Sequence, residues 1–419
     1  MLLLCFSLIL AAETAYFGGR CLAGLLRQRG ERAFFRSDHR RAWRNYEGAM
    51  AWGGDAGTLA ADEVELLLFG LDQREAGFRI RTEFPVGESL ARARDLAVRL
   101  IREAPYKAYY WSLVADIYHH EARRRRLETP IDLDTLSEDP LANLLPEDWL
   151  SIAALETATQ LEPNNYVYPD LLVEMLLEID SPDLAAHYCR LAVAANPNLR
   201  DHRYLLRADL QPVIVEAALL GFADARGAHS MLPPDGIDTD AGRLLVVHGQ
   251  DERAIPYLER AAALVPKSYD ALSELGSAYY RMKDYEGMLR SLERARLVHP
   301  DQPWPYYGLG LAHLALGDLQ AAMSDFTAAR EADPRDLRYF HALGETLEKA
   351  GRIEEAERQF LAAANLNQGE GLAWSALLAF YVRHPDRKGA AEACANLLTL
   401  GQVDSAVREQ CAALEREAP

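Results

Sequence analysis

Between residues 235 and 367 the chain repeats itself with a step of 34 residues. Pro266, Pro300 and Pro334 keep that step, and so do Gly242, Gly276, Gly310 and Gly344. Leucine precedes the glycine at Leu275, Leu309 and Leu343. A second set runs Ala254, Met288, Ala322 and Ala356, then Leu258, Leu292, Phe326 and Phe360, then Ala261, Ala295, Ala329 and Ala363. A period of this length marks one supersecondary unit that cannot bury its apolar face alone, so the units must stack on one another.

Inside each unit the apolar residues stand three or four apart. Leu272, Leu275, Gly276 and Tyr279 share one helix face, and Met288, Leu292 and Ala295 share another. Short turns lie between the two runs at Lys283-Asp284, Gly317-Asp318 and Gly351-Arg352. Small residues at Gly310, Ala322 and Ala329 let two helices approach, with Phe326 filling the space beside them. Proline closes each unit because it cannot continue a helix.

Taken together, these positions resemble the tetratricopeptide repeat family, whose unit reads W-x2-L-G-x2-Y, then A-x3-F, then A and P. The resemblance implies an all-α fold, an α-solenoid in which antiparallel helix pairs wind into a right-handed superhelix. Four such pairs are expected over 235–367, with almost no strand in the chain. Upstream the pattern continues at lower fidelity. Pro163 and Pro197 are again 34 apart, with Ala185, Cys189 and Ala192 in second-helix register. Ala93, Ala97 and Leu100 precede Pro105, and Trp111, Val114, Ala115 and Tyr118 open the next unit, which an insertion at about 123–146 interrupts. Residues 198–232 fill one period but match poorly, and Ala42, Tyr46 and Ala49 hint at one more unit. Downstream, Trp374, Leu377 and Tyr381 open a last one. The expected organisation is therefore an N-terminal apolar helix at 1–26, degenerate repeats over 27–234, a regular array over 235–400 and a capping helix over 401–419.

The N-terminal run LLLCFSLILAA continues through Tyr16 and Phe17 with Glu13 as its only charge. It approaches the lower length limit of a bilayer-spanning helix and lacks the basic start of a signal peptide. A membrane anchor is the expectation, with a buried capping helix as the alternative. Arg20, Arg27, Arg29, Arg32, Arg36, Arg40, Arg41 and Arg44 follow it, a pattern that keeps the rest of the chain on the cytoplasmic side. The formal charge of −18 argues against nucleic acid as a partner. The five cysteines form no C-x-x-C and suggest neither a zinc site nor a dense disulfide framework. Cys189 and Cys394 fall in apolar helical patterns and read as small core residues.

No phosphate loop, metalloprotease helix, nucleophile elbow or calcium loop is present in the sequence. Neither enzymatic activity nor a cofactor, metal or small-molecule substrate is expected. His119 and His120 are adjacent on a helix and diverge by about 100°, too far to ligate one ion together. His313 takes the place of the repeat's tyrosine and reads as a packed residue. Arg123 to Arg126 read as a solvated helix end or as a contact for an acidic partner or headgroup.

What the resemblance implies about function is a groove lined by the first helix of each unit, taking a protein or peptide partner. The groove positions are Asp270, Ser273, Ser277 and Tyr280, then Trp304, Tyr307, Leu311 and Leu314, then Arg338, His341, Glu345 and Lys349. Trp304 and Tyr307 read either as binding anchors or as residues packed beside Pro303 and Pro305. The lysine-asparagine-arginine clamp that some members use for a terminal carboxylate is absent. The expected role is a membrane-tethered scaffold, with bacterial envelope or polysaccharide assembly as the analogy. Two other readings stand beside it: the accessory tail of a multi-pass O-antigen ligase or polymerase, and an enzyme site within residues 30–235. A compact pocket with two or more perturbed carboxylates or histidines would mark the latter.

Overall fold

The computed structural model describes residues 56–75, 86–128, 144–227, 234–366, 371–384 and 387–400, together with 27, 28, 42, 44, 45, 49, 407–409, 411 and 412. The apolar segment expected as an anchor, Tyr46, most of the insertion and most of 401–419 lie outside the described residues. Among the described residues no strand occurs, and no helix is long and apolar enough to cross a membrane. The chain divides into two compact units, Met1–His229 and Ser230–Pro419.

In the N-terminal unit, α1 (Ala56–Glu75) packs on α2 (Val86–Glu103), α3 (Ala108–Glu128) on α4 (Pro146–Leu161), and α5 (Val167–Glu178) on α6 (Pro182–Ala195). The last helix, α7 (Pro212–Gly227), packs against α6. Ala42 and Ala49 are fully buried in the same core as Val64, Ala93 and Ala97. Two short 3-10 turns, Leu199–Asp201 and Arg203–Leu206, stand where a further unit would place its first helix. That substitution accounts for the poor match of residues 198–232 to the repeat. The arginine run at the end of α3 is ion-paired: Arg124 with Glu128 at 2.7 Å, Arg125 with Glu147 at 2.9 Å, and Arg126 with the buried Asp148. Asp148 also accepts from the Leu145 amide at 2.7 Å. The Arg125 and Arg126 pairs join the end of α3 to the start of α4.

The C-terminal unit stacks five hairpins: α8 (Pro234–Val247) with α9 (Asp251–Leu264), α10 (Tyr269–Met282) with α11 (Tyr285–Val298), and α12 (Pro303–Leu316) with α13 (Leu319–Ala332). The remaining pairs are α14 (Leu337–Lys349) with α15 (Ile353–Leu366), and α16 (Gly371–Arg383) with α17 (Arg387–Leu400). Each of the first four turns through a left-handed residue at the same register, Gly249, Lys283, Gly317 and Gly351. Glycine takes that conformation freely, whereas Lys283 costs on the order of 1 kcal/mol there. Asp284 and Asp318 cap the helices that follow by accepting from the Gly287 and Ala321 amides.

The glycines that recur at one register of the repeat are packing devices. A Cβ added at Gly310 would lie 2.6 Å from the Phe326 ring, and one at Gly344 would lie 3.0 Å from Phe360. Leu292 is gripped from two sides, since a Cβ at Gly276 or at Gly308 would come within 2.4 and 2.3 Å of its two methyl groups. Gly276 belongs to the same hairpin as Leu292 and Gly308 to the next, so one side chain locks two hairpins together. His313 is packed as the sequence suggests, its Nδ1 2.7 Å from the Asp325 carboxylate. Cys394, expected as a small core residue, is buried and also disulfide-bonded to Cys411, closing a separation of 17 residues. Cys189 is a buried free thiol, and burial pushes it up to about 12.

His202, fully buried between the two 3-10 turns, sits with Nδ1 2.6 Å from Asp170 and Nε2 2.7 Å from the Asn196 carbonyl. A carbonyl cannot donate, so Nε2 carries a proton, and the carboxylate favours a second one on Nδ1. Burial opposes the charged ring, but the Asp170 bond and charge outweigh it and His202 is raised above the ordinary histidine value. Tyr166 and Tyr204 enclose the ring edge-on at 5.6 and 6.1 Å.

Two outcomes follow from this packing. Gly310→Ala is expected to destabilise the C-terminal unit by about 1–3 kcal/mol, with Phe326→Leu in the same chain restoring part of the loss. Thermal melts of the two single variants and the double variant measure that coupling, and additive losses would refute the close approach. A raised histidine contributes stability fully below its unfolded value of about 6.5, and loses it as pH rises through the folded value. Urea melts should therefore show a loss of stability on going from acidic to alkaline pH that His202→Gln removes.

Candidate partner-binding groove

The first helices of the last three hairpins, α12, α14 and α16, face a common cavity of about 560 Å³. Its wall is Tyr307, Leu311 and Leu314 from α12, Arg338, His341 and Glu345 from α14, and Leu372 and Ala376 from α16. Phe360 and Ala363 of α15 form the floor. The spacing of three and four residues along each helix places these side chains on one face, and stacking in register lines the faces up.

Six of the expected groove residues meet in this cavity: Tyr307, Leu311, Leu314, Arg338, His341 and Glu345. Trp304 is half-buried, its ring lies 6.1 Å from that of Tyr307 at a tilt of 45°, and it does not line the cavity. Lys349 is exposed at the end of α14. Asp270 and Tyr280 are exposed on α10, and Ser277 bonds internally to the Ser273 carbonyl at 3.1 Å. None of those α10 residues lines the cavity. The register alone would have added Leu372 and Ala376, which stand one repeat after Arg338 and Ala342.

Tyr307 is held by rings on two sides, with Phe326 at 5.7 Å and Tyr339 at 5.3 Å. Burial pushes its hydroxyl up against the pull of the Arg338 guanidinium. Asp336 caps α14 through the Arg338 amide and receives the Arg338 side chain at 2.9 and 3.0 Å. That bond holds the Asp336 carboxyl below the usual range. His341 stands edge-on to Phe360 at 5.6 Å, with its Nε2 3.8 Å from Glu345. Leu372 is 78% exposed, a large apolar side chain on the cavity lip. The cavity thus offers an apolar floor, the guanidiniums of Arg335 and Arg338, an imidazole and the carboxylates of Asp336 and Glu345, which suits recognition of a side chain with polar backbone contacts around it.

A second concavity of about 330 Å³ lies in the N-terminal unit, lined by Asp116, His119, His120 and Arg123 of α3, Ser151 of α4, and Leu171, Glu174 and Glu178 of α5. The two histidine rings are 6.4 Å apart and tilted by 60°, in keeping with their divergence on the helix. A bond from His119 holds Glu178 low, while burial and then Asp170 and Glu178 push Glu174 up. Two carboxylates of unlike character therefore line this concavity, but both are exposed, unlike the compact pocket named as the mark of an enzyme site. The Ser151 hydroxyl is taken up by the Ala115 carbonyl at 2.8 Å and contacts the Met175 sulfur at 3.1 Å. Among the described residues no group of three histidine, cysteine, aspartate or glutamate side chains could hold a metal ion.

Residues 239–296, 288–336 and 307–370 match the sequence model of the tetratricopeptide repeat family. BBSome complex member BBS4 of Mus musculus is 26% identical over 128 residues, 30% of this chain and 25% of that protein. Superkiller protein 3 of Schizosaccharomyces pombe is 26% identical over 113 residues, 27% of this chain and 8% of its own length. The chain thus spans a quarter or less of these relatives. Among solved structures, a tetratricopeptide protein with an unusual peptide-binding site, YrrB, shares 21% identity at a TM-score of 0.36, covering 42% of this chain and 91% of that one. MamA from Desulfovibrio magneticus RS-1 shares 21% identity at a TM-score of 0.38, covering 42% and 99%.

Proposed function

We propose that this tetratricopeptide-repeat chain is an interaction scaffold that works by binding, and that it takes a peptide or partner helix in the cavity between α12, α14 and α16. The observation that carries this reading is the convergence of Tyr307, Leu311, Arg338 and His341 over the Phe360 floor, with Leu372 exposed beside them. An apolar residue left on a cavity lip costs free energy in water, and a partner that covers it recovers that cost. The positive and negative groups around the floor would orient the bound segment rather than supply most of its affinity.

The apolar run from Leu2 to Phe17 supports a membrane tether for the scaffold. The Cys394–Cys411 bond supports an oxidising compartment for the C-terminal unit, opposite to the side that the arginines after the run would favour by themselves. An envelope assembly role would fit such a placement and rests on that analogy alone.

Two experiments test these points. Crosslinking and capture from native membranes, with the intact chain and with Leu372→Asp/His341→Ala, should recover partners that the variant loses while its helical content is unchanged. Recovery of the same partners by both chains would remove the cavity from the reading. Mass mapping of unreduced, alkylated protein from cells should find Cys394 and Cys411 joined and lighter by two hydrogens. Two alkylated thiols there would argue for the reducing side.

A further inference from the structure

The outer wall of the C-terminal cavity is α16, and its two ends are held by different means. At its C-terminal end, Arg383 pairs with Glu348 of α14 at 2.7 and 2.8 Å, and His384 lies 2.8 Å from the same carboxylate. Tyr381 donates to Glu357 of α15 at 2.9 Å. The N-terminal end carries Leu372, Ala373 and Ala376 onto the cavity. Cys394 and Ala376 stand at like distances from the turn between α16 and α17, so the hairpin sets them level with one another. Cys394 and Leu397 share a core with Trp374, Leu377 and Leu378, which interleave with the cavity positions along α16. Cys411 is buried in that same core, with Val407 packed against it, and is bonded to Cys394.

We propose that the Cys394–Cys411 bond is a redox-controlled tie that positions the cavity wall. Oxidised, it fixes the chain at Cys411 onto α17, and α17 holds the Leu372 end of α16 in place. The helix α17 ends the stack of described hairpins and has a neighbouring hairpin on one side only, so it depends on what is fastened to its other side. A dithiol reductant passes two electrons and two protons to the pair, which leaves two thiols on the chain and a disulfide on the reductant. Cys411 can then leave α17, water reaches the core around Leu397, and the Leu372 end of α16 loosens. The Tyr381–His384 end stays pinned to Glu357 and Glu348. Both sulfurs are buried, so reduction waits on a local opening, and a ligand seated against α16 shifts the couple toward the disulfide. The effect of the tie on binding rests on the cavity being the partner site, whereas its effect on α16 does not.

The test is hydrogen–deuterium exchange on the full chain without a partner, oxidised and after reduction by dithiothreitol, with a mass gain of two hydrogens verifying the reduction. We expect exchange at 375–378 to quicken about tenfold or more, exchange at 379–384 to change by less, and exchange in α10 and α11 to stay as it was. Cys394→Ala/Cys411→Ala should exchange like the reduced chain and be indifferent to dithiothreitol. If that variant melts early, the parent chain before and after reduction still decides the matter. Unchanged protection at 375–378 in the reduced chain would overturn the tie. Equal losses along α10, α11 and α16 would do so too, because the bond would then be a general stabiliser. A bond that survives prolonged exposure to dithiothreitol would overturn the redox control. Partner capture and exchange are separate readouts, so a failed tie leaves the cavity's role in binding standing, and a failed capture leaves the tie standing.

Discussion

The structure depends on a side chain that is missing. Where the first helix of a hairpin crosses the second, glycine faces a large apolar residue: Gly242 faces Leu258, Gly276 faces Leu292, Gly310 faces Phe326 and Gly344 faces Phe360. The absent Cβ lets the helices approach until the large side chain fills the gap, and Gly308 repeats the contact between neighbouring hairpins at Leu292. The spacing of the first helices, and with it the width of the C-terminal cavity, follows from these contacts. Phe360 serves both ends of the relation, filling the gap at Gly344 and forming the floor on which a ligand would rest.

The regular array was legible because one physical rule recurs at a fixed step. The register of glycine, large residue and alanine located four helix pairs, and the same register brought six groove residues to one cavity. Leu372 and Ala376 obeyed it too, but the fifth hairpin opens with Gly371 and Leu372 after a weakly matching stretch, so its groove side was left unread. The N-terminal concavity had no such sign. Asp116 and Glu174 are 58 residues apart across the insertion, a distance that no repeat step predicts. His202 and Asp170 met for a similar reason, since 3-10 turns replaced the helix that periodicity would place at 199–206. The tie between Cys394 and Cys411 depends on the path of the chain after α17, which apolar spacing does not encode.

In the C-terminal cavity Arg338 is paired with Asp336 and His341 stands beside Glu345, while Arg335 adds a further guanidinium to a largely apolar lining. In the N-terminal concavity His119 and Arg123 pair with Glu178, and Arg203 offsets part of what Asp170 and Glu178 do to Glu174.

The ion pairs at the end of α3 have a consequence for how the chain can change length. Inside a helix, one added residue would turn every later side chain off its glycine partner. Between α3 and α4 the constraint is different, because Arg125 and Arg126 hold Glu147 and Asp148 whatever length of chain runs from Glu128 to Leu145. Closing a longer connection costs only slowly more entropy, about 0.6 kcal/mol for each doubling. The solenoid therefore carries one stitched seam at which foreign sequence, a reporter or a whole domain could be spliced in while the stacking on either side stays in register.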